Sequence, residues 1–379
     1  MSRPPRLDLL IPGLFGPVLV HHTEVPPTPV LSRLLGQADR LPVAGSPDPC
    51  RTLFHLFGYT PASELDCPSA PYCRLADFQT EDLGTGPEPY VLHADPVHLR
   101  PDRDRLVLFA GPDFAPDRAE ADALVNLFNQ HLGDEGLRLE APTPERWYLL
   151  SEQPPQLVTQ PLAAVLGRPI AGHLPQGPEA RRWARLLNEV QMLFHHSEVN
   201  QRREAAGIPT LNGLWLWGGG RLLPPPGRVA YKVVFGADPL VRGLARASGI
   251  PTTNLPTDPA TLLAVAVSSS TSTPTSSPTG AVLIRWHGLW EAVVRADAPS
   301  WLAALSALEQ WLSGLTAGSG VPGPAGAALT RGATPRLRLD LDLYPANGER
   351  FHHRPNHRYR FWRHPIALVR PGKGSRESP

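Results

Sequence analysis

From Leu214 onward, short apolar runs rich in β-formers alternate with amphipathic stretches, and this alternation constrains the fold more than any other feature. Leu214–Trp217 reads as a strand ending in Gly218–Gly220, and Val229–Phe235 as another. Pro239–Ser248 reads as a helix stopped by Gly249. Ala281–Trp286 is a further strand, and Ser300–Leu315 a helix capped by Ser300. Strands separated by helices join in parallel, so the pattern predicts an α/β sandwich with a mostly parallel sheet. Pro and Gly, 46 and 33 of 379 residues, add many rigid connections.

Upstream, Leu7–Ile11 reads as a buried first strand, ended by Pro12 and Gly13. Pro29–Asp39 reads as a short helix with Thr28 at its N-cap and Pro29 at its first position. Leu53–Tyr59 is an apolar segment closed by Pro61. Tyr90–Leu99 and Arg105–Phe109 form a hairpin across RPDRD. Asp117–Leu132 is amphipathic, and Arg146–Leu150 is a short strand. Glu179–His196 is the clearest helix, with Trp183, Leu186, Leu187, Val190, Leu193 and Phe194 on one stripe. Residues 268–279 and 318–335 are expected to be flexible loops. Arg336–Tyr344 alternates strictly, Ala346–Gly348 turns, and Arg350–Trp362 returns as the second arm of a hairpin.

The formal net charge of +1 gives no global field toward nucleic acid or membrane. No stretch has transmembrane length, and Pro12, Pro17 and Asp8 break up the N-terminal apolar run, so neither a membrane anchor nor a signal peptide is expected. Lys232 and Lys373 are the two lysines among 36 basic residues, a bias that fits a GC-rich bacterial genome. Cys50, Cys67 and Cys73 make an odd count without zinc spacing. A disulfide framework is not expected, and the reducing cytoplasm is the expected compartment.

The run His195–Gly220 concentrates hydrogen-bonding side chains beside tryptophans. Asn188, Gln191 and His195 lie at i, i+3 and i+7 of the preceding helix. His196, Asn200, Arg203, Asn212, Trp215, Trp217, Gly218 and Gly219 follow. One reading is a pocket for a small ligand at the carboxyl edge of a sheet. The other is a structural knot, in which Asn200 satisfies the helix end, Arg203 pairs with a carboxylate and the glycines turn the chain. His93, Asp95 and His98 are metal-competent, but strand alternation puts His98 on the other face from His93 and Asp95. His287 and Glu291 stand four residues apart. Arginines and histidines alternate with Tyr359, Phe361 and Trp362 in the tail, which suits single-stranded nucleic acid or an acidic partner, or else a hairpin edge kept charged. GxSxG, HExxH and CxxC are absent.

EVNQRREAAGIPTLNGLWLWGGG resembles a signature of archaeal-type cofactor-independent phosphoglycerate mutases. TPVLSRLLGQADRL, HLFGYTP and DPLVRGLARASGI resemble further segments of that family in the same order. The resemblance implies an alkaline-phosphatase-like three-layer α/β sandwich over 1–62 and 145–379, a smaller inserted α+β region at 63–144, and a C-terminal β-hairpin. ADPVHLRPDRDRLVLF, NEVQMLFHH, NGLWLWGGG and RFWR are similar to a bacterial group called RpfE-type regulatory proteins.

The mutases use two divalent metals and a nucleophilic Ser. The stretches here that match their ligand motifs, LLIPGLFGP, DPCRTLFH, RWHGLWEAVV and LDLDLYP, lack the Ser and the metal ligands. Without them, two dications and an alkoxide go uncompensated. The resemblance therefore implies a non-catalytic regulatory protein, without a cofactor, that binds a small molecule or protein partner. One alternative is an active mutase or phosphohydrolase with His93, Asp95, His195 and His196 as replacement ligands for a divalent metal. A second is nucleic-acid binding through the tail.

Overall fold

The computed structural model describes residues 6–16, 25–43, 47–61, 66–78, 89–227, 229–259, 261–262, 280–317, 339–366 and 368. The loops expected at 268–279 and 318–335 lie outside the described residues. The chain divides into two compact units, one of Met1–Gly58, Pro226–Val241 and Ser248–Pro379, the other of Tyr59–Pro225 and Arg242–Ala247.

The first unit is α/β around a mixed sheet. Its strands are β1 (Arg6–Leu10), β2 (Asp39–Pro42), β8 (Tyr231–Phe235), β9 (Thr252–Thr253), β10 (Ala281–Arg285), β11 (Asp340–Tyr344) and β12 (Glu349–His353), in spatial order β2-β12-β11-β1-β10-β8-β9. The run from β11 to β9 is parallel; β12 pairs antiparallel with β11 and with β2. Alternation sends Leu7, Leu9, Val282, Ile284, Leu341 and Leu343 into one core. They meet helices α1 (Pro29–Gln37), α9 (Gly288–Val294) and α10 (Ala298–Ala317) through Leu31, Leu35, Leu289, Trp301, Leu305 and Leu312. Thr28 is the N-cap of α1 as expected, but its side chain makes no cap bond. Glu309 of α10 takes that role, accepting the amides of Val30 at 2.7 Å and Leu31 at 3.0 Å. The apolar segment at Leu53 belongs to helix α2 (Pro49–Leu56), capped by Asp48.

The second unit is built on one long strand. β3 (Tyr90–Asp102) pairs antiparallel with β4 (Arg105–Phe109), β6 (Tyr148–Ser151) and β7 (Gly213–Gly220), and β6 pairs with β5 (Leu137–Glu140). Helices α3 (Ser69–Asp77), α4 (Arg118–Leu132), α6 (Ala180–His195) and α7 (Glu198–Ala205) accompany it, with a single turn α5 (Leu162–Val165). The stripe Trp183, Leu186, Val190 and Phe194 enters the core with Leu124, Phe128, Trp147 and Leu216. Leu187 sits at the margin of that core.

Three sequence expectations change here. The second unit runs to 225 rather than 144, because β6 and β7 both hydrogen-bond to β3. Gly218–Gly220 do not follow the strand but complete it, and β7 belongs to an antiparallel sheet, which has no common carboxyl edge. Cys50 and Cys67 are each in disulfide form and Cys73 is a buried free thiol, where reduced thiols were expected.

Candidate functional site

In open parallel sheets, ligands bind outside the carboxyl ends of the strands, where the chain reverses its direction of winding. In the first unit that reversal falls at β1, flanked by β10 and β11. β10 ends there in Arg285, a fully apolar strand closed by one guanidinium. Arg285 is buried, its side chain 5% exposed. Its Nε and Nη1 have no hydrogen-bond partner among the described residues. The nearest carboxylate, Asp238 beyond the end of β8, is an ion-pair neighbour at 3.7 Å, too far for a hydrogen bond.

Asp238 spends its Oδ1 on the backbone and turns Oδ2 toward Arg285. It accepts the amides of Leu240 at 2.8 Å and Val241 at 3.3 Å at the start of α8 (Pro239–Ala247). Burial pushes its carboxyl up, but Arg285, His287 and those amides outweigh burial and hold it below the ordinary range. Burial pulls the Arg285 guanidinium down, against the pull of Asp238. His287 bridges this pair to the surface, with Nδ1 at 3.3 Å from Asp238 and Nε2 at 3.2 Å from Glu291 on the first turn of α9. The Nδ1 approach lacks hydrogen-bond alignment. The result is a buried cation with unspent N–H donors beside an imidazole, donors of the kind that suit an oxyanion.

A pair of dications does not fit this set. The guanidinium already supplies positive charge beside the carboxylates. Among the described residues no group of three or more His, Cys, Asp or Glu is placed to hold a metal ion. A second carboxylate pair lies at mid-strand, away from the strand ends. Asp8 and Asp342 are register partners on β1 and β11. Arg6 donates to Asp8 at 2.8 and 2.9 Å, and the Tyr231 hydroxyl at 2.7 Å. His352 Nδ1 lies 2.8 Å from Asp342. Burial pushes the Asp8 carboxyl up, with Arg6 opposing it. Every carboxylate here has near neighbours, which reads as internal charge balance across buried strands.

The second unit holds the residues singled out from sequence, and it separates them. Asn188, His195 and His196 are exposed, and Gln191 is half-buried. Asn200 is fully buried. It donates to the carbonyls of Phe194 at 2.8 Å and Leu211 at 2.9 Å, and accepts the Leu211 amide at 2.9 Å. Arg203 meets Glu120 at 2.6 Å and the carbonyls of Pro209 and Phe114. Asn212 exchanges two hydrogen bonds with Leu99, and the Trp215 indole donates to the Gln160 carbonyl. Each of these groups is satisfied by protein.

The glycines admit protein as well. A Cβ on Gly218, at φ +61°, would collide with Ser69 Oγ, and one on Gly219 would sit 2.7 Å from the Tyr90 hydroxyl. His98 turns away from His93 and Asp95, as alternation requires, and bonds the Thr210 carbonyl at 2.8 Å. His195 and His196 meet edge to face at 5.2 Å on the surface. The four side chains expected to converge on a metal therefore lie in two places.

One buried polar pair remains in this unit. His93 stacks on Trp217 at 4.0 Å, and neither of its ring nitrogens has a hydrogen-bond partner among the described residues. Burial, with Arg146 nearby, drives its pKa down to about 3. The Trp217 indole donates to Asp95 at 2.6 Å; burial pushes that carboxyl up to about 7 against this hydrogen bond.

Sequence reading noted His287 and Glu291 but passed over Arg285 and Asp238. The available signal was a lone charge closing the apolar run AVLIR, and an acid immediately before a Pro-initiated helix. The Asp342–His352 contact was invisible to a search for contiguous motifs, because a hairpin turn separates its partners.

No family model matches the chain. It is 30% identical over 99 residues to the 2,3-bisphosphoglycerate-independent phosphoglycerate mutase of Methanothrix thermoacetophila, a match covering 24% of each chain. It is 24% identical over 211 residues to the probable enzyme of that name from Geobacter sulfurreducens, covering 51% of this chain and 52% of that one. The matches thus span at most about half the length of these relatives, and the chain is distantly homologous to cofactor-independent phosphoglycerate mutases. Similar solved structures include the PH0037 protein from Pyrococcus horikoshii, at 15% identity, 93% and 87% coverage and a TM-score of 0.49. The cofactor-independent phosphoglycerate mutase from Thermoplasma acidophilum gives 14% identity, 92% and 90% coverage and a TM-score of 0.39. Among the described residues no helix is long and apolar enough to cross a membrane.

Proposed function

We propose that this chain is a non-catalytic, ligand-binding regulatory protein on an alkaline-phosphatase-like three-layer scaffold, a bacterial protein of the RpfE type. Its ligand is a small phosphorylated or carboxylated anion, bound at the carboxyl edge of the first unit's sheet. The observation that carries this reading is Arg285, buried at the end of β10 with two guanidinium nitrogens unspent. Asp238 balances the charge at 3.7 Å but leaves these two buried donors without an acceptor, which costs about 1–3 kcal/mol each, and an arriving oxyanion supplies one. His287, within reach of both Asp238 and Glu291, presents a ring N–H to the same anion. In this reading the polar run from Asn188 to Gly219 supports the fold of the second unit. The distant homology to phosphoglycerate mutases makes phosphoglycerate the first anion to try.

Titration calorimetry with 3-phosphoglycerate and with inorganic phosphate tests the reading. Saturable binding is expected, lost on Arg285→Met, together with no interconversion of 3- and 2-phosphoglycerate in the presence of manganese or zinc. Metal-dependent interconversion would refute it, as would binding that survives Arg285→Met.

A further inference from the structure

The segment following β12 is held firmly and yet exposes its largest rings. Arg360 donates to the Gln37 carbonyl at 3.0 Å and to Asp39 at 2.6 Å. Arg363 donates to the Ala38 carbonyl at 2.6 Å, and the Ile366 amide to the Ser32 carbonyl at 3.0 Å. Helix α1 makes room for this docking, since a Cβ on Gly36 would collide with the His364 carbonyl. His357 is buried beneath, 3.5 Å from Asp39. Phe361 nevertheless stands 89% exposed, Trp362 64% and Tyr359 61%. Apolar rings gathered at one place on a preorganised segment mark an interaction surface.

The surroundings of the rings select the partner. Residues 350–366 carry five arginines and no Asp or Glu. Arg360 and Arg363 face Asp39, and Arg350 faces Asp342. Arg354 and Arg358 have no carboxylate partner among the described residues. Arg358 lies over the Tyr359 ring at 4.6 Å. Around the rings, Arg354, Asn356, Arg358, Arg363 and His364 are exposed and offer N–H donors. An acidic peptide would need an apolar recess for its own side chains, whereas here the rings project. A duplex is read by a helix or ribbon entering a groove, and this segment is a short 3-10 turn followed by a loop. Guanidinium and ring alternate along Arg358–Arg363, as phosphate and base alternate along a single strand.

We propose that Arg354–His364 binds single-stranded nucleic acid, with bases stacked on Phe361 and Trp362 and phosphates on Arg354 and Arg358. This surface is independent of the anion seat at Arg285. Because the whole chain carries only +1, binding is local and its salt dependence small. Two or three phosphate contacts give a slope of log K against log salt of about −1.4 to −2.

The test is fluorescence anisotropy of a labelled oligothymidylate of about 20 nucleotides with the full chain at low salt. Saturable binding is expected. Phe361→Ala/Trp362→Ala is expected to weaken it at least about tenfold, and Arg354→Ala/Arg358→Ala to weaken it and flatten the salt slope by about 1.4. Unchanged far-UV circular dichroism and urea midpoints show that these exposed replacements leave the fold intact. The proposal is overturned by the absence of saturable binding, or by binding that both double variants retain. It is also overturned if phosphatidylserine vesicles, and not the oligonucleotide, are bound in a Phe361- and Trp362-dependent way.

Discussion

Replacing Asp95 by Asn should change how the second unit's stability depends on pH. The Asp95 carboxyl rises from 3.8 to about 7 on folding because burial outweighs the Trp217 indole, the Trp147 amide and the charge of Arg146. Below pH 3.8 both folded and unfolded chains hold the proton, and there is no penalty. As pH climbs toward 7 the unfolded chain releases the proton and the folded chain retains it, so stability falls. At about 1.36 kcal/mol per pH unit, the loss reaches about 4 kcal/mol.

His93 acts in the opposite sense. Its folded value of about 3 lies below the ordinary 6.5, so its neutral form costs nothing above pH 6.5 and stability is lost as pH falls toward 3. In the shared window the two slopes offset each other in the parent protein. Asp95→Asn removes one of them. Its amide costs about 1–3 kcal/mol at every pH through an unpaired N–H. Relative to the parent, the variant should therefore gain about 4 kcal/mol between pH 4 and pH 8, and its own stability should drop on acidification below 6.5. Urea unfolding followed by circular dichroism at pH 4, 6 and 8 measures both. A difference between variant and parent that stays flat across this range would refute the reasoning.

Other perturbations follow from the same contacts. Asn200→Ala strands the Leu211 carbonyl and amide, while Ser197 still bonds the Phe194 carbonyl, and should cost about 3 kcal/mol in urea unfolding. Glu120→Ala leaves Arg203 buried without its carboxylate, and a loss of about 3–5 kcal/mol is expected by the same assay. Gly218→Ala strains a positive φ and pushes into Ser69; it should lower stability by about 2 kcal/mol and raise hydrogen exchange in β7. Glu309→Gln weakens the remote cap on α1 and should cost about 1 kcal/mol, read as faster exchange of the Val30 and Leu31 amides.

Local pattern was enough for the elements that bury one face. The stripe Trp183–Phe194 determined α6, the alternation in RLDLL and LDLDLY determined β1 and β11, and the turn after Tyr344 determined the β11–β12 hairpin, because each pattern has a single solution that hides its apolar side. At Asn200 the sequence left a ligand pocket and a structural knot both open, and the structure gives the amide protein partners at Phe194 and Leu211. Pairing between distant strands was not legible. Whether β7 joined the parallel sheet or lay against β3 depended on contacts more than a hundred residues apart, and with it went the meaning of the glycines and the extent of the second unit. Arg285 drew no notice in sequence because one arginine after four apolar residues has no motif. Only the tertiary structure put it at the end of a buried strand with Asp238 just out of reach, since the electrostatics of a charge depend on what surrounds it in space and not on what precedes it in the chain.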